Sequence, residues 1–148
     1  MMDIDRGAPA IADGEIEISA PAGTVWTVLA DLAAWPTWNR DVRSVTLEGP
    51  VEPGTVFRWK SGPASLVSTL QVVDEPREIA WTGVTMRIHA VHVFRLSPSD
   101  GGTSVRSEES WRGLIPTLFR GYSRRTLRSG IESVLAALKL EAERRAGR

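Results

Sequence analysis

The amino-acid sequence predicts an α+β fold, in which a curved, seven-stranded antiparallel sheet wraps around one long C-terminal helix. Two observations carry this prediction. Residues 42–112 form a succession of strand-like segments separated by turn sequences rich in glycine and proline. Residues 111–145 form the longest helix-like segment of the chain. Consecutive, closely spaced strands are typical of an antiparallel meander, and such a sheet buries one face by packing a helix against it.

The first fourteen residues show no clear hydrophobic period. They contain Gly7, Pro9 and Gly14, which are turn-forming or flexible residues. Residues 1–14 are therefore predicted to be a flexible N-terminal lead-in, and residues 15–148 a single domain.

The first strand is predicted at residues 15–19, where polar and apolar side chains alternate with the period of a half-buried strand. Pro21 follows and favours the first turn of a short helix. Asp31 can cap a second short helix, which Pro36 ends or bends. Two short helices are thus expected between strands 1 and 2.

The other six strands are separated by clear turn sequences. They are predicted at residues 42–48, 55–60, 64–73, 77–82, 85–96 and 103–112. Residues 98–102, Pro-Ser-Asp-Gly-Gly, are typical of the turn of a hairpin that joins the last two strands.

The hydrophobic pattern of the C-terminal helix changes phase along its length. At about 100° per residue, two apolar faces lie roughly 120–150° apart. The first contains Ile115, Leu118, Phe119 and Tyr122, and the second Leu127, Ile131, Val134, Leu138 and Ala142. One straight helix cannot bury both faces against one surface. The second half is expected to be the anchor held by the sheet, the first half to shape access to a cavity, and Gly121 to be the hinge between them.

Composition excludes several classes of function. A chain of 148 residues without cysteine has no thiol chemistry, disulfide or cysteine-ligated zinc. The 18 acidic and 18 basic residues balance, which gives no electrostatic argument for nucleic acid. With two histidines and no apolar run of about 20 residues, neither a metal site nor stable membrane insertion is expected. No cofactor is expected, a soluble cytoplasmic protein is the default, and the oligomeric state, monomer or homodimer, stays open.

Alternation along the predicted strands assigns the side chains that face the helix. If the apolar side of strand 85–96 faces inward, His92 faces inward as well. On strand 103–112 the inward set includes Glu109, so these two ionisable residues lie on the two arms of one predicted hairpin. A buried histidine and carboxylate can orient a polar group of a ligand or transfer a proton. The alternative is an ordinary buried histidine that is hydrogen-bonded in the core.

Several short motifs in order resemble the START-like superfamily, also called SRPBCC or polyketide cyclase/dehydrase-like, whose members share the helix-grip fold. The motifs are Ile16-Glu17-Ile18-Ser19-Ala20-Pro21-Ala22 running into Val25-Trp26, Asp31-Leu32 with Trp35-Pro36 and Trp38-Asn39, Trp81-Thr82-Gly83, Val91-His92-Val93-Phe94 before Gly101-Gly102-Thr103, Glu109 before Gly113, and Leu138-Lys139 followed by Glu141-Ala142-Glu143. The resemblance covers about residues 15–143. It implies a largely apolar cavity between the sheet and the last helix.

The function expected from this resemblance is the binding of a small hydrophobic molecule, such as a lipid, a polyketide or an aromatic metabolite. One alternative is an enzyme of the polyketide cyclase or dehydratase type, with His92 and Glu109 as acid/base residues. A second alternative is a protein-interaction module that uses the outer face of the sheet. The fold hosts all three classes and does not decide between them.

Thirteen residues are predicted to contact the ligand. They are Trp38, Phe57, Trp59, Trp81, Met86, Ile88, His92, Phe94, Glu109, Trp111, Leu118, Phe119 and Tyr122. For the inward aromatic residues, plain core packing is the competing interpretation, and for Trp38 it is structural closure of the narrow end. The basic row Arg120, Arg124 and Arg128 on the last helix is interpreted as a solvated face rather than a binding site.

Overall fold

The computed structural model describes residues 1–147 and confirms the predicted α+β fold. Its helices are α1 (Ala22–Ala30), α2 (Trp35–Trp38), α3 (Leu114–Leu118) and α4 (Arg120–Ala146), with a 3-10 turn at Leu32–Ala34. Its strands are β1 (Ala10–Ile18), β2 (Val42–Leu47), β3 (Val56–Ser61), β4 (Ala64–Asp74), β5 (Glu78–Thr85), β6 (Ile88–Ser99) and β7 (Gly102–Arg112). All pairs are antiparallel, and the order across the sheet is β1-β7-β6-β5-β4-β3-β2. None of the helices within residues 1–147 has the length and apolarity needed to cross a membrane.

Strand β1 begins at Ala10, five residues earlier than predicted. Ala10 and Ala12 are buried, and Gly14 lies so close to α4 that a Cβ atom there would be 2.9 Å from Cγ2 of Ile131. These small residues let the helix approach the strand. The sequence pattern missed this part of β1 because small inward side chains do not produce a strong hydrophobic alternation.

The residues before β1 lie on the outer face of the sheet. Ile4 is buried against Ala80 and Val93, and the backbone N–H of Met2 donates to a carboxylate oxygen of Glu78 at 2.9 Å. The backbone N–H of Asp5 donates to Ser110 Oγ at 3.0 Å. The outer face of β5 and β6 is apolar at this point, and the N-terminal segment covers it.

Helix α4 is held by an apolar stripe and by polar contacts near its end. The buried stripe consists of Leu127, Ile131, Leu135, Leu138 and Ala142. It includes four of the five residues predicted for the anchor; the fifth, Val134, packs at its edge. Near the C-terminus, Nζ of Lys139 donates to the backbone oxygen of Glu17 at 2.7 Å. The second half of the helix is therefore the anchor.

The C-terminal segment is divided, but the division is not at Gly121. Strand β7 extends to Arg112, α3 ends at Leu118, and Phe119 has φ −121° and ψ 56°, outside the helical region. Gly121 lies within α4. The N–H of Phe119 donates to the carbonyl of Ile115 and ends α3, and the carbonyl of Phe119 accepts the N–H of Ser123 and begins α4. The break therefore lies between two helices with separate hydrogen bonds.

The structure has a turn near the beginning of the segment that was predicted to be one strand, residues 85–96. Thr85 ends β5 and Ile88 begins β6, with Met86 and Arg87 between them at φ 46° and 61°. Positive φ at both central residues is typical of a tight two-residue hairpin turn, which usually contains glycine or asparagine. Neither residue type is present at Met86 or Arg87, so the local residues do not predict this turn.

Candidate functional site

An internal cavity of about 390 Å³ lies between the concave face of the sheet and the helices. Residues of β2 to β7 form one wall, and residues of α1 to α4 form the other. Ten of the thirteen predicted contact residues line it: Trp38, Trp59, Trp81, Met86, Ile88, His92, Phe94, Glu109, Trp111 and Tyr122. The concave face carries these side chains because antiparallel partners point to the same side of a sheet. Trp81 of β5 is opposite His92 of β6, and His92 is opposite Glu109 of β7.

Three predicted contact residues do not line the cavity. Phe57 is fully buried and packs edge-on against Trp35, with ring centroids 5.9 Å apart, so it supports the wall from behind. Leu118 and Phe119 lie at the end of α3 and at the break before α4, and their side chains are exposed to solvent. The helical periodicity placed them beside Tyr122, but the break at Phe119 interrupts that periodicity.

Aromatic rings form the apolar wall of the cavity. Trp35 lies at its centre, with ring centroids 5.3 Å from Trp81 and 5.5 Å from Trp59. Phe94 stacks on Trp81 at 5.7 Å. Such contacts stabilise a rigid surface beyond the area they bury. The indole N–H groups of Trp35 and Trp59 are also fixed, the first to the carbonyl of Leu29 at 2.9 Å and the second to Ser68 Oγ at 3.0 Å.

His92 and Glu109 form a contact on the sheet side of the cavity. Nδ1 of His92 lies 3.3 Å from Oε1 of Glu109, and Nε2 lies 2.8 Å from Ser107 Oγ. The other carboxylate oxygen of Glu109 accepts the indole N–H of Trp111 at 2.8 Å. The imidazole contacts both Trp81 and Phe94, with centroid distances of 4.9 and 4.6 Å, and the three rings form one cluster. Nε2 is therefore engaged by Ser107, whereas Nδ1 faces the Glu109 carboxylate at a distance longer than a normal hydrogen bond.

Burial lowers the pKa of His92 from its ordinary value of 6.5, and the nearby Glu109 carboxylate opposes that shift without reversing it. The neutral imidazole is the dominant form near neutral pH. With its proton on Nδ1, the ring carries that proton on the side of the Glu109 carboxylate, and Nε2 then accepts the hydroxyl proton of Ser107. The bond to Ser107 and the contacts with Trp81 and Phe94 hold the ring in place in the cavity wall.

Three large apolar side chains that line the cavity are also exposed to solvent, as expected where a cavity opens to the surface. They are Met86 in the β5–β6 turn, Ile115 in α3 and Tyr122 in the first turn of α4, with exposed fractions of 64, 40 and 70%. The first apolar face of the C-terminal segment was predicted to shape access to the cavity. Of its four residues, Ile115 and Tyr122 line the cavity.

Among the helical lining residues that were not predicted to contact the ligand, two on α4 are polar. Ser123 and Thr126 of α4 both face the cavity. Ser123 precedes Leu127 by four residues and Ile131 by eight, so it continues the buried stripe of the anchor. This spacing of four residues could have identified Ser123 as a buried position. It was not used, because the stripe was defined by apolar residues alone.

The family model described as "Polyketide cyclase / dehydrase and lipid transport" matches residues 9–143 of this chain. Solved structures with a similar fold include a hypothetical protein from Helicobacter pylori, with TM-score 0.83, 13% identity and coverage of 96% of this chain and 97% of that one. A START superfamily protein from Mycobacterium smegmatis aligns with TM-score 0.77 and 14% identity over 90% of this chain and 97% of that one. An aromatase/cyclase from Streptomyces sp. R1128 aligns with TM-score 0.76 and 20% identity over 91% of this chain and 94% of that one. No curated protein matches the sequence.

Proposed function

Since this chain belongs to the polyketide cyclase/dehydrase and lipid transport family, we propose that its cavity binds one small, largely apolar molecule: a lipid, a polyketide or an aromatic metabolite. The observation that carries the proposal is the cavity itself. Its volume of about 390 Å³ falls within the range of small-molecule pockets, roughly 300–1,000 Å³. Aromatic side chains dominate its walls, and a few polar groups lie among them, which is the usual composition of such sites.

The hydrogen bonding of the polar groups supports binding ahead of catalysis. Ser107 engages Nε2 of His92, and Trp111 donates to Glu109, whose other carboxylate oxygen lies 3.3 Å from Nδ1 of His92. A general base needs a lone pair within reach of the substrate's proton. Here Nε2 of His92 is already engaged by Ser107, so the network is better suited to orienting a polar group of a ligand.

Native mass spectrometry of the protein purified from its own host tests the proposal. We expect an additional mass of one small molecule per chain, released on denaturation and extractable into organic solvent. The stripped protein is then dialysed against a fatty acid, a flavonoid and an anthraquinone in turn, and at least one of them is expected to bind with one-to-one stoichiometry. A protein that retains no molecule and binds none of the three would contradict the proposal.

A second candidate function is a cyclase or dehydratase, and the contact between His92 and Glu109 inside the cavity is the observation that favours it. In such a reaction His92 removes a proton from a carbon next to a ketone, while Glu109 orients the ring and stabilises its charged form. Ser107 has to release Nε2 for this step.

For the enzymatic candidate, His92→Ala is expected to lower turnover of a poly-β-ketone substrate by about 100- to 10,000-fold while the substrate still binds. The formation of an aromatic product is followed by absorbance, and binding by equilibrium dialysis. His89→Ala is the matched control, because His89 lies three residues away on the same strand and is exposed. Full turnover in the His92 variant would remove this residue from the mechanism.

A further inference from the structure

Two buried polar atoms, each on a residue that lines the cavity, lack a hydrogen-bond partner within residues 1–147. They are Nε1 of Trp38 and Oγ of Ser123. Both residues line the same cavity, Trp38 from α2 and Ser123 from α4, and these two helices pack against each other. Buried polar groups in folded proteins are nearly always paired, so two unpaired atoms in one cavity call for an explanation.

The unpaired state of Ser123 is unusual even within this protein. A serine or threonine hydroxyl in a helix commonly donates to the carbonyl four residues earlier. Thr27 does so to Gly23 at 2.9 Å, and Thr117 does so to Gly113 at 2.7 Å. Ser123 is only 1% exposed, yet in the described part of the chain its hydroxyl takes no such partner.

Trp38 shows a similar contrast with three of the four other indoles that line the cavity. The N–H groups of Trp35, Trp59 and Trp111 donate to Leu29, Ser68 and Glu109, respectively. The N–H group of Trp38 is buried without an acceptor among residues 1–147. Such a group lowers the stability of the folded chain, and unfavourable groups of this kind are retained where function uses them.

We propose that Trp38 and Ser123 form a polar subsite on the helical side of the cavity, which binds an oxygen atom of the ligand. This inference rests on the proposed binding function. An indole N–H only donates, so the ligand must present an acceptor there, such as a ketone, phenol or ether oxygen. The serine hydroxyl donates to the same kind of group or accepts from it. The ligand is therefore an oxygenated apolar molecule with an oxygen directed at the helices, away from the His92–Glu109 contact on the sheet.

The test uses 9-fluorenone and fluorene, which have the same three-ring frame and differ by the carbonyl oxygen. We expect the wild-type protein to bind fluorenone more tightly than fluorene. Ser123→Ala is expected to weaken fluorenone binding about three- to tenfold, the usual loss for one neutral hydrogen bond, and to leave fluorene binding unchanged. Affinities are measured by equilibrium dialysis. Ser129→Ala, the same change at an exposed position of α4, is expected to alter neither affinity.

A second variant separates the N–H group of Trp38 from its ring. Trp38 is replaced by β-(3-benzothienyl)alanine, which keeps the two-ring shape and has sulfur in place of the N–H group. We expect the same selective loss of fluorenone binding. A thermal melt of the ligand-free protein distinguishes a binding role of Ser123 from a structural one. We expect the melting temperature of Ser123→Ala to stay the same or rise, because an unpaired buried hydroxyl has been removed.

Equal binding of both probes by the wild type, with no change in either variant, would overturn the subsite and leave the proposed binding function intact. A lower melting temperature in Ser123→Ala with equal losses for both probes would also overturn it, since that pattern indicates a structural role. Failure of the wild type to bind either probe would overturn the subsite alone, because the proposed function is decided separately by the retained molecule and by the fatty acid, the flavonoid and the anthraquinone.

Discussion

Replacing Ala90 by tryptophan is expected to lower the affinity of the cavity for a small apolar ligand at least about 100-fold, a loss that follows from excluding the ligand. Ala90 lies on β6 between Gly83 and Trp111, its partners on the neighbouring strands, and its side chain faces the cavity. An indole at this position projects into the cavity of about 390 Å³ and occupies the space that the ligand needs. Binding is measured by equilibrium dialysis with the molecule identified by native mass spectrometry.

The matched control for this variant is His89→Trp. His89 is the adjacent residue on β6, its side chain is exposed on the opposite face of the sheet, and the substitution introduces the same group. We expect this control to bind the ligand with the wild-type affinity. Circular dichroism and thermal melts of both variants establish that the fold is kept. Unchanged binding in a folded Ala90→Trp protein would show that the ligand occupies another site.

The inward face of each strand could be predicted from the sequence because the side-chain period of a strand is fixed at two. Alternation alone placed Trp59, Trp81, His92 and Glu109 on one side of the sheet, and all four line the cavity. The same reasoning failed to separate Phe57 from these residues. Whether an inward side chain meets the cavity or the packed core depends on what lies above it, and Trp35, which covers Phe57, comes from a different part of the chain.

The features that escaped prediction are those in which tertiary contacts outweigh local preferences. The tight turn at Met86 and Arg87 carries no glycine or asparagine. The break at Phe119 lies two residues before the glycine at which a hinge was expected. The early start of β1 rests on small residues that face α4, and these have little hydrophobic signal of their own. In each case the local sequence allows the conformation and the packing selects it.

The close approach of β1 to α4 leads to the second prediction with a large effect. Gly14→Val is expected to lower the free energy of unfolding by about 3 kcal/mol, the upper part of the usual range for overpacking a core. A Cβ atom at Gly14 would lie 2.9 Å from Cγ2 of Ile131 and 3.2 Å from Cδ1 of Leu135, and a branched side chain adds two more carbon atoms beyond it. Valine also favours the strand conformation more than glycine does, so local propensity acts in the opposite direction. A loss of stability in urea unfolding therefore reports the contact with the helix.

A double-mutant cycle attributes this loss to the contact between the strand and the helix. Ile131→Ala alone should destabilise the protein, because it removes a side chain that is 1% exposed and belongs to the anchoring stripe of α4. In the presence of Gly14→Val, however, the same truncation removes the atoms that the new side chain meets. We therefore expect the double variant to be more stable than the sum of the two single effects predicts, by about 1 kcal/mol or more. Strict additivity, or a Gly14→Val protein as stable as the wild type, would mean that α4 can move away from β1 at little cost, and that close contact with the first strand is not what holds this helix over the cavity.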